Sequence, residues 1–235
     1  MSDTTDSFIN DVSDTAFWVA HYRALETDRK NSLFKDPLAK TLAGSLGGNI
    51  ANSMKTSKMT EWVVILRTFI IDNFITEQIK NDFDLVLNLG AGLDTRPYRM
   101  QLPKDLTWIE VDYPKVIEFK EKILMNEKPK CKLERIRLDL SNSEERKSLF
   151  NSINQRGKKI LILTEGVVIY LSNSAAAELA TDLYFFDNFK LWIVDYISPE
   201  AAAYRDRRQS QNKMKNAALL FSPKNWFEFF ENQGW

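Results

Sequence analysis

Residues 84–97, DLVLNLGAGLDTRP, decide how this chain is read. Asp84 to Leu89 is a short apolar run of strand type. Gly90 and Gly92 follow it, and Pro97 falls in the first turn of a helix. Glycines at such a turn let a ligand approach the backbone closely. In open α/β sheets ligands sit beyond the carboxyl ends of the strands, where this loop would lie. Taken alone, the loop is also compatible with a tight turn that holds no ligand.

Further apolar runs follow at Leu106–Val111, Leu133–Leu138, Ile160–Thr164 and Lys190–Ile197. Helix-like segments separate or follow them at 113–126, 142–155, 173–187 and 199–217. This alternation predicts βαβ units and an α/β fold with a parallel sheet covered on both faces. Residues 1–80 read as a helical N-terminal cap segment, and 81–235 as a Rossmann-like core within one structural domain. In the cap, Thr15–Glu26 has helical spacing. A second helix starts at Asp36-Pro37 and is expected to end near Gly44–Gly48. Lys55–Lys58 is expected to be a loop. Glu61–Lys80 carries apolar residues at i, i+3 and i+4 spacing and reads as a long packed helix. At the other end, Ser222–Gln233 reads as a helix entered through Ser222-Pro223. Trp226, Phe227, Phe229 and Phe230 are expected on its core face, and Gly234 stops it.

The second strand narrows the ligand. An acid about twenty positions past the glycines, at a strand end, can accept hydrogen bonds from both ribose hydroxyls. Asp112 fits that position, although a solvated strand-end acid would look the same. A dinucleotide fingerprint calls for a third glycine three residues after the second. Thr95 stands there, with Asp94 beside it, and a carboxylate would repel a pyrophosphate. S-adenosylmethionine carries no phosphate, so the residues favour it over NAD or FAD.

Composition excludes several other classes. Of 235 residues, 44% are hydrophobic and 27% charged, as in an ordinary globular protein. The 32 basic residues balance 32 acidic ones, so no charge excess points to nucleic acid. The single cysteine, Cys131, excludes an intramolecular disulfide and a cysteine-cluster metal site, and we expect no bound metal. The single histidine, His21, would have to carry any histidine-based hydrolase alone. The polar, acidic start lacks a secretory signal, and the longest apolar stretches are too short to span a bilayer. The expectation is a cytoplasmic protein that engages neither nucleic acid nor membrane.

A series of phrases then resembles the leucine carboxyl methyltransferase-like family, a class I S-adenosylmethionine-dependent group with many bacterial O-methyltransferases. They are Trp18–Glu26 (WVAHYRALE), Phe34–Ala39 (FKDPLA), Leu89–Arg99 (LGAGLDTRPYR), Glu110–Pro114 (EVDYP), Leu138–Leu140 (LDL) and Thr164–Leu171 (TEGVVIYL). The resemblance runs from about residue 14 to the end. It implies a role for each matching position. Arg67 would hold the cofactor's methionine carboxylate, and Gly90 and Gly92 would line its methionine moiety. Asp112 would take the ribose, Asp139 and Leu140 the adenine, and Glu165 the ammonium and sulfonium region. Tyr170 would stand near the methyl acceptor as a catalytic residue. Arg23 would meet a cofactor or substrate carboxylate. Arg96, Tyr98 and Arg99 would orient an anionic acceptor, or merely cap or pair on the helix surface.

Family members usually add two final strands that complete a seven-stranded sheet. Those strands are absent from this sequence, so a Rossmann-like class I methyltransferase sheet without its last two strands is expected. Lys190–Ile197 would then be an open edge, with homo-oligomer formation as one consequence. The function implied is an S-adenosylmethionine-dependent O-methyltransferase acting on a carboxylate or hydroxyl of a small molecule or peptide. The alternatives are a non-catalytic protein that keeps the cofactor pocket, and a dinucleotide-dependent oxidoreductase.

Overall fold

The five apolar runs form five parallel strands: β1 (Leu85–Leu89), β2 (Thr107–Asp112), β3 (Lys132–Arg137), β4 (Ile160–Thr164) and β5 (Phe189–Val194). The computed structural model describes residues 9, 11–54, 57–208 and 217–235, side chains at 57, 205, 206 and 208 excepted. Within them the sheet order is β3-β2-β1-β4-β5. Central strands β1 and β4 are buried at every position, which is why they read as unbroken apolar runs. Edge strand β3 mixes exposed and half-buried residues. Strand β5 lies at the opposite edge, as its sequence position suggested.

Side chains alternate across the sheet, and each face has its own core. Leu85, Leu87 and Leu89 join Phe150 of α6 (Ser143–Asn154) and Leu179 and Leu183 of α7 (Asn173–Tyr184). Val86, Leu161 and Leu163 face the other way, against Ile71 and Ile75 of α3 (Ser57–Lys80). Helix α4 (Arg96–Arg99) is one turn long and opens with Pro97 near its start. Helix α5 (Pro114–Ile123) follows β2. Order reverses between β1 and β4: the chain leaves β1 toward β2 and later returns to β1's other side. Such a reversal opens a crevice between the loops that leave the two strands.

The chain forms two compact units, Met1–Phe69 with Ser198–Ala218, and Ile70–Ile197 with Leu219–Trp235. In the first, α1 (Thr15–Asp28) packs on α2 (Ala39–Ser53). The expected stop near Gly44–Gly48 is met at Gly44. Gly44, at φ 53° and ψ -154°, breaks α2 into two helical stretches, the second of which runs on to Ser53. Gly47 serves close packing, since a Cβ there would lie 2.4 Å from the Phe17 carbonyl oxygen. The expected loop at Lys55–Lys58 is corrected in part: Ser57 and Lys58 are helical, while residues 55 and 56 lie outside those described. Helix α8 (Pro199–Arg208) occupies the start of the predicted 199–217 segment, and 209–216 lie outside the described residues.

In the second unit, α9 (Trp226–Glu231) is capped by Asn225, whose side chain accepts from the Glu228 N–H, rather than by Ser222. Phe230 is buried, and Trp226 and Phe229 pack beside it. Phe227 lies a third of a turn away and is 63% exposed, so it leaves the predicted core face.

Beneath β2, Glu110 and Lys120 are both fully buried and pair at 2.8 Å. Arg135 of β3 reaches the same carboxylate at 2.8 Å and the Tyr98 hydroxyl at 2.6 Å. One buried acid thus ties β2, β3, α4 and α5 together. Removing one partner of such a group leaves a charge stranded in low dielectric. Glu110→Gln is expected to lower the unfolding free energy by about 3–5 kcal/mol, read by urea titration of the whole chain. A change below about 1 kcal/mol, the level of exposed pairs, would contradict this assignment.

Candidate functional site

The loop after β1 is held from two sides. Gly90 adopts φ 66°, and a Cβ there would lie 2.5 Å from Val167 Cγ2. That contact joins the loop after β1 to the loop after β4, across the order reversal. On the other side, Gly92 at φ 47° donates its N–H to Asp112 Oδ2 at 2.6 Å. The acid predicted at the strand end and the glycine twenty residues before it are therefore in contact. Asp112 Oδ1 accepts from the Tyr113 N–H at 2.7 Å. Burial raises the Asp112 pKa above the ordinary value, and the two backbone donors oppose that rise. A carboxylate offers about four acceptor positions, so each oxygen keeps capacity for a further donor.

The loop's own donors are spent internally. Gly90 and Ala91 donate to the Val111 carbonyl at 2.8 and 3.1 Å, and Asp94 donates to the Ala91 carbonyl at 3.0 Å. The Arg96 N–H goes to Asp94 Oδ1 at 2.8 Å. With Gly92 committed to Asp112, the N–H groups of Gly90, Ala91, Gly92, Asp94 and Arg96 all point into protein. A phosphate cradle needs such groups directed at the ligand.

Asp94 is buried rather than presented to a ligand. Its Oδ2 accepts from Asn88 at 2.9 Å and from Arg96 Nη1 at 2.8 Å. The expectation that Asp94 itself repels a pyrophosphate is corrected, because its charge is compensated inside the loop. Arg96 is corrected in part: it pairs, as one of its two readings had it, but at 1% exposure it does so in the interior rather than on the helix surface. It pairs with Asp72 at 2.7 Å, Asp94 at 2.8 Å and Glu165 at 2.7 Å. Burial alone would weaken its charge, but Asp94, Glu165 and Asp72 hold its pKa well above the ordinary value. Arg99 adds two bonds to Asp72, at 2.5 and 2.8 Å.

The other predicted residues of this unit are placed as follows. Asp139 is exposed just past β3 and accepts from the Ser141 N–H at 2.9 Å, while Asn142 caps α6. Leu140 packs on the core beside β3, and its carbonyl accepts from Arg146 at 2.8 Å. Leu138 N–H donates to the Asp112 carbonyl, so Asp139 and Asp112 leave neighbouring strand ends. Glu165 follows β4 directly. Tyr170 is half-buried on the short turn Val168–Tyr170. In the first unit, Arg67 is half-buried on α3, and Arg23 is 4% exposed with its Nε 3.3 Å from Asp36 Oδ2. Cys131 is buried, and burial pushes its thiol up to about 11, far from a reactive thiolate.

Sequence reasoning missed Asp72 and Asn88 as partners of the loop, and Asp195. Asp195, just past β5, accepts from the Gly166 N–H at 2.8 Å, much as Asp112 holds Gly92. Asn88 did leave a signal: it is a polar side chain inside an apolar strand.

The sequence profile of the leucine carboxyl methyltransferase family matches residues 16–183. The chain belongs to that family. Among its relatives is a provisionally named S-adenosyl-L-methionine-dependent methyltransferase of Streptomyces avermitilis. It is 30% identical over 171 residues, 68% of this chain and 60% of that protein. A provisional namesake from Streptomyces coelicolor is 32% identical over 174 residues, again 68% and 60%. The chain thus spans about three fifths of the length of these family members. In fold, it is similar to a DUF574 family crystal structure from Streptomyces avermitilis, with TM-score 0.59, 11% identity, and coverage of 90% of this chain and 80% of that one. No helix among the described residues is long and apolar enough to cross a membrane.

The contact between the two loops has a direct test. Gly90→Ala combines a left-handed backbone with a clash, and is expected to cost about 1–3 kcal/mol of stability. Val167→Ala removes the clashing methyls. The double variant should therefore lose less than the sum of the single losses in a urea-unfolding cycle; additive losses would contradict the contact.

Proposed function

We propose that this chain binds S-adenosylmethionine and transfers its methyl group to a carboxylate or hydroxyl oxygen of a small molecule or peptide. The observation that carries the donor assignment is the division of labour in the loop. The backbone N–H groups of Gly90, Ala91, Gly92, Asp94 and Arg96 are consumed by protein acceptors, which leaves little to cradle a pyrophosphate. Asp112 meanwhile retains acceptor capacity for a ribose diol, in a position where desolvation makes further donors valuable. A phosphate-free nucleoside fits that pattern, and family membership supports it. The dinucleotide reading has neither a cradle nor a third glycine.

The remaining roles follow chemistry. Gly90 and Gly92 line the methionine moiety with backbone, and Asp112 takes the ribose. Asp139 accepts from the adenine amine, and Leu140 gives it an apolar neighbour. Glu165 offsets the donor's ammonium and sulfonium charge. Arg67 is assigned to the methionine carboxylate, and Tyr170 to the acceptor side. Arg23, whose Nε lies 3.3 Å from Asp36 Oδ2, is assigned to a cofactor or substrate carboxylate. When bound, the sulfonium supplies an already activated methyl group. The protein's task is to align the acceptor oxygen in line with it. A carboxylate acceptor is ionised at neutral pH and needs no general base. His21, whose pKa burial lowers against the opposing pull of Glu61, is not required.

A second reading is donor binding without transfer. It is favoured by the distribution of assigned residues, which lie overwhelmingly on the donor side. A radiolabelled methyl-transfer screen over carboxylate and hydroxyl acceptors separates the two. Calorimetry tests the donor itself. S-adenosylmethionine and its demethylated product should bind and NADH should not; binding of NADH alone would refute the assignment.

The pH dependence follows from Asp112. Its ionised form accepts from the ribose, and its pKa is raised. Donor affinity should therefore fall as pH drops through a window above the ordinary aspartate range. Asp112→Asn should bind about ten- to a hundredfold more weakly, for a lost charge-assisted bond of about 1.5–3 kcal/mol, and should show no such fall. A wild-type affinity flat across that window would contradict the role of Asp112.

A further inference from the structure

Arg96 joins three separate pieces of the second unit through one guanidinium. Its Nε pairs with Asp72 on α3 at 2.7 Å, and its Nη1 pairs with Asp94 of the glycine loop at 2.8 Å and with Glu165 beyond β4 at 2.7 Å. At 1% exposure it touches no ligand itself. Buried ionic groups seldom add stability over apolar packing of the same volume. What a planar, always-charged fork supplies instead is a fixed geometry for several carboxylates at once. Without it, Asp72, Asp94 and Glu165 would be three acids in one desolvated place, with Arg99 committed to Asp72 on the far side.

We infer that Arg96 is a positioning residue for the methyl donor: it fixes Glu165 against the glycine loop, so that carboxylate and loop meet the methionine and sulfonium end together while Asp112 meets the adenosine end. This rests on the functional reading above, in which Glu165 faces the donor's positive charge. The link explains why an arginine stands directly after the glycine loop rather than on its surface. The loop cannot shift without moving Glu165, since both are bonded to one side chain. Asp72 gives that side chain its third, ligand-remote anchor. Lysine cannot replace it, because a point charge on a flexible stem does not hold two partners at fixed angles.

The test compares a ligand that uses only the adenosine end with one that uses both. Adenosine and S-adenosylmethionine are titrated by calorimetry into the whole wild-type chain and into Arg96→Lys, Glu165→Gln and the double variant. Adenosine affinity should stay within about twofold throughout, whereas S-adenosylmethionine affinity should fall roughly ten- to a hundredfold in each single variant. The double variant should lose no more than the worse single one, because both act on the same contact. Equal losses for both ligands in Arg96→Lys would reduce Arg96 to a folding role and overturn the inference, as would additive losses in the double variant. Should Arg96→Lys fail to fold, Asp72→Asn removes the ligand-remote anchor and leaves Glu165 intact. It should weaken S-adenosylmethionine severalfold at constant adenosine affinity, and an unchanged ratio would overturn the inference. A wild-type chain that binds no S-adenosylmethionine would refute the functional reading instead.

Discussion

The hydrogen bond from the Gly92 N–H to Asp112 is the constraint on which the site depends. It needs two things that lie far apart in the sequence. One is a glycine loop that turns its N–H back toward the sheet. The other is an acid placed level with that loop by the parallel register of β1 and β2, in which Leu89 faces Val111. The bond is made in a place that penalises the ionised acid. That penalty is what gives Asp112 a use: a desolvated carboxylate with spare lone pairs gains more from a pair of hydroxyl donors than an exposed one would.

Charge inside the second unit is handled by three compact groups, and each ties a different set of elements. Glu110 with Lys120 and Arg135 fastens the β2–β3 side. Arg146 with Asp182 fastens α6 to α7. Arg96 with Asp72, Asp94 and Glu165 fastens the crevice between β1 and β4. The last stands at the carboxyl ends of β1 and β4, where Asp94 and Glu165 follow the strands. Asp195 repeats the Asp112 arrangement on the β4–β5 side by holding the Gly166 N–H. An acid at the end of an outer strand thus steadies the loop of the inner strand on both flanks of the crevice.

The sheet was legible in the sequence because parallel central strands must be apolar on both faces, and DLVLNL and ILILT show it without ambiguity. The place of Asp112 at a strand end, twenty residues past the glycines, was legible from spacing, but its bond to the Gly92 N–H was not. Asp94 was misread because a sequence shows a charge but not its partner. Only the fold reveals that Asn88 and Arg96 enclose it. Arg96 was misread for a related reason: arginine in a short helix is usually exposed, and nothing local announces carboxylates brought from residue 72 and residue 165. The glycines of α2 announced the helix break at Gly44, but not the close approach of Gly47 to Phe17, which needs the packed partner to be seen. Phe227 was placed in the core by composition, although its helical phase sets it apart from Trp226, Phe229 and Phe230.

The most direct measurement is a crystal structure of the chain with S-adenosylmethionine bound. The account predicts the two ribose hydroxyls on the Asp112 carboxylate, with the Gly92 N–H still bonded to the same group and the methionine end toward Glu165. A nucleoside bound elsewhere on the chain, or an Asp112 side chain turned away from the ribose, would contradict it.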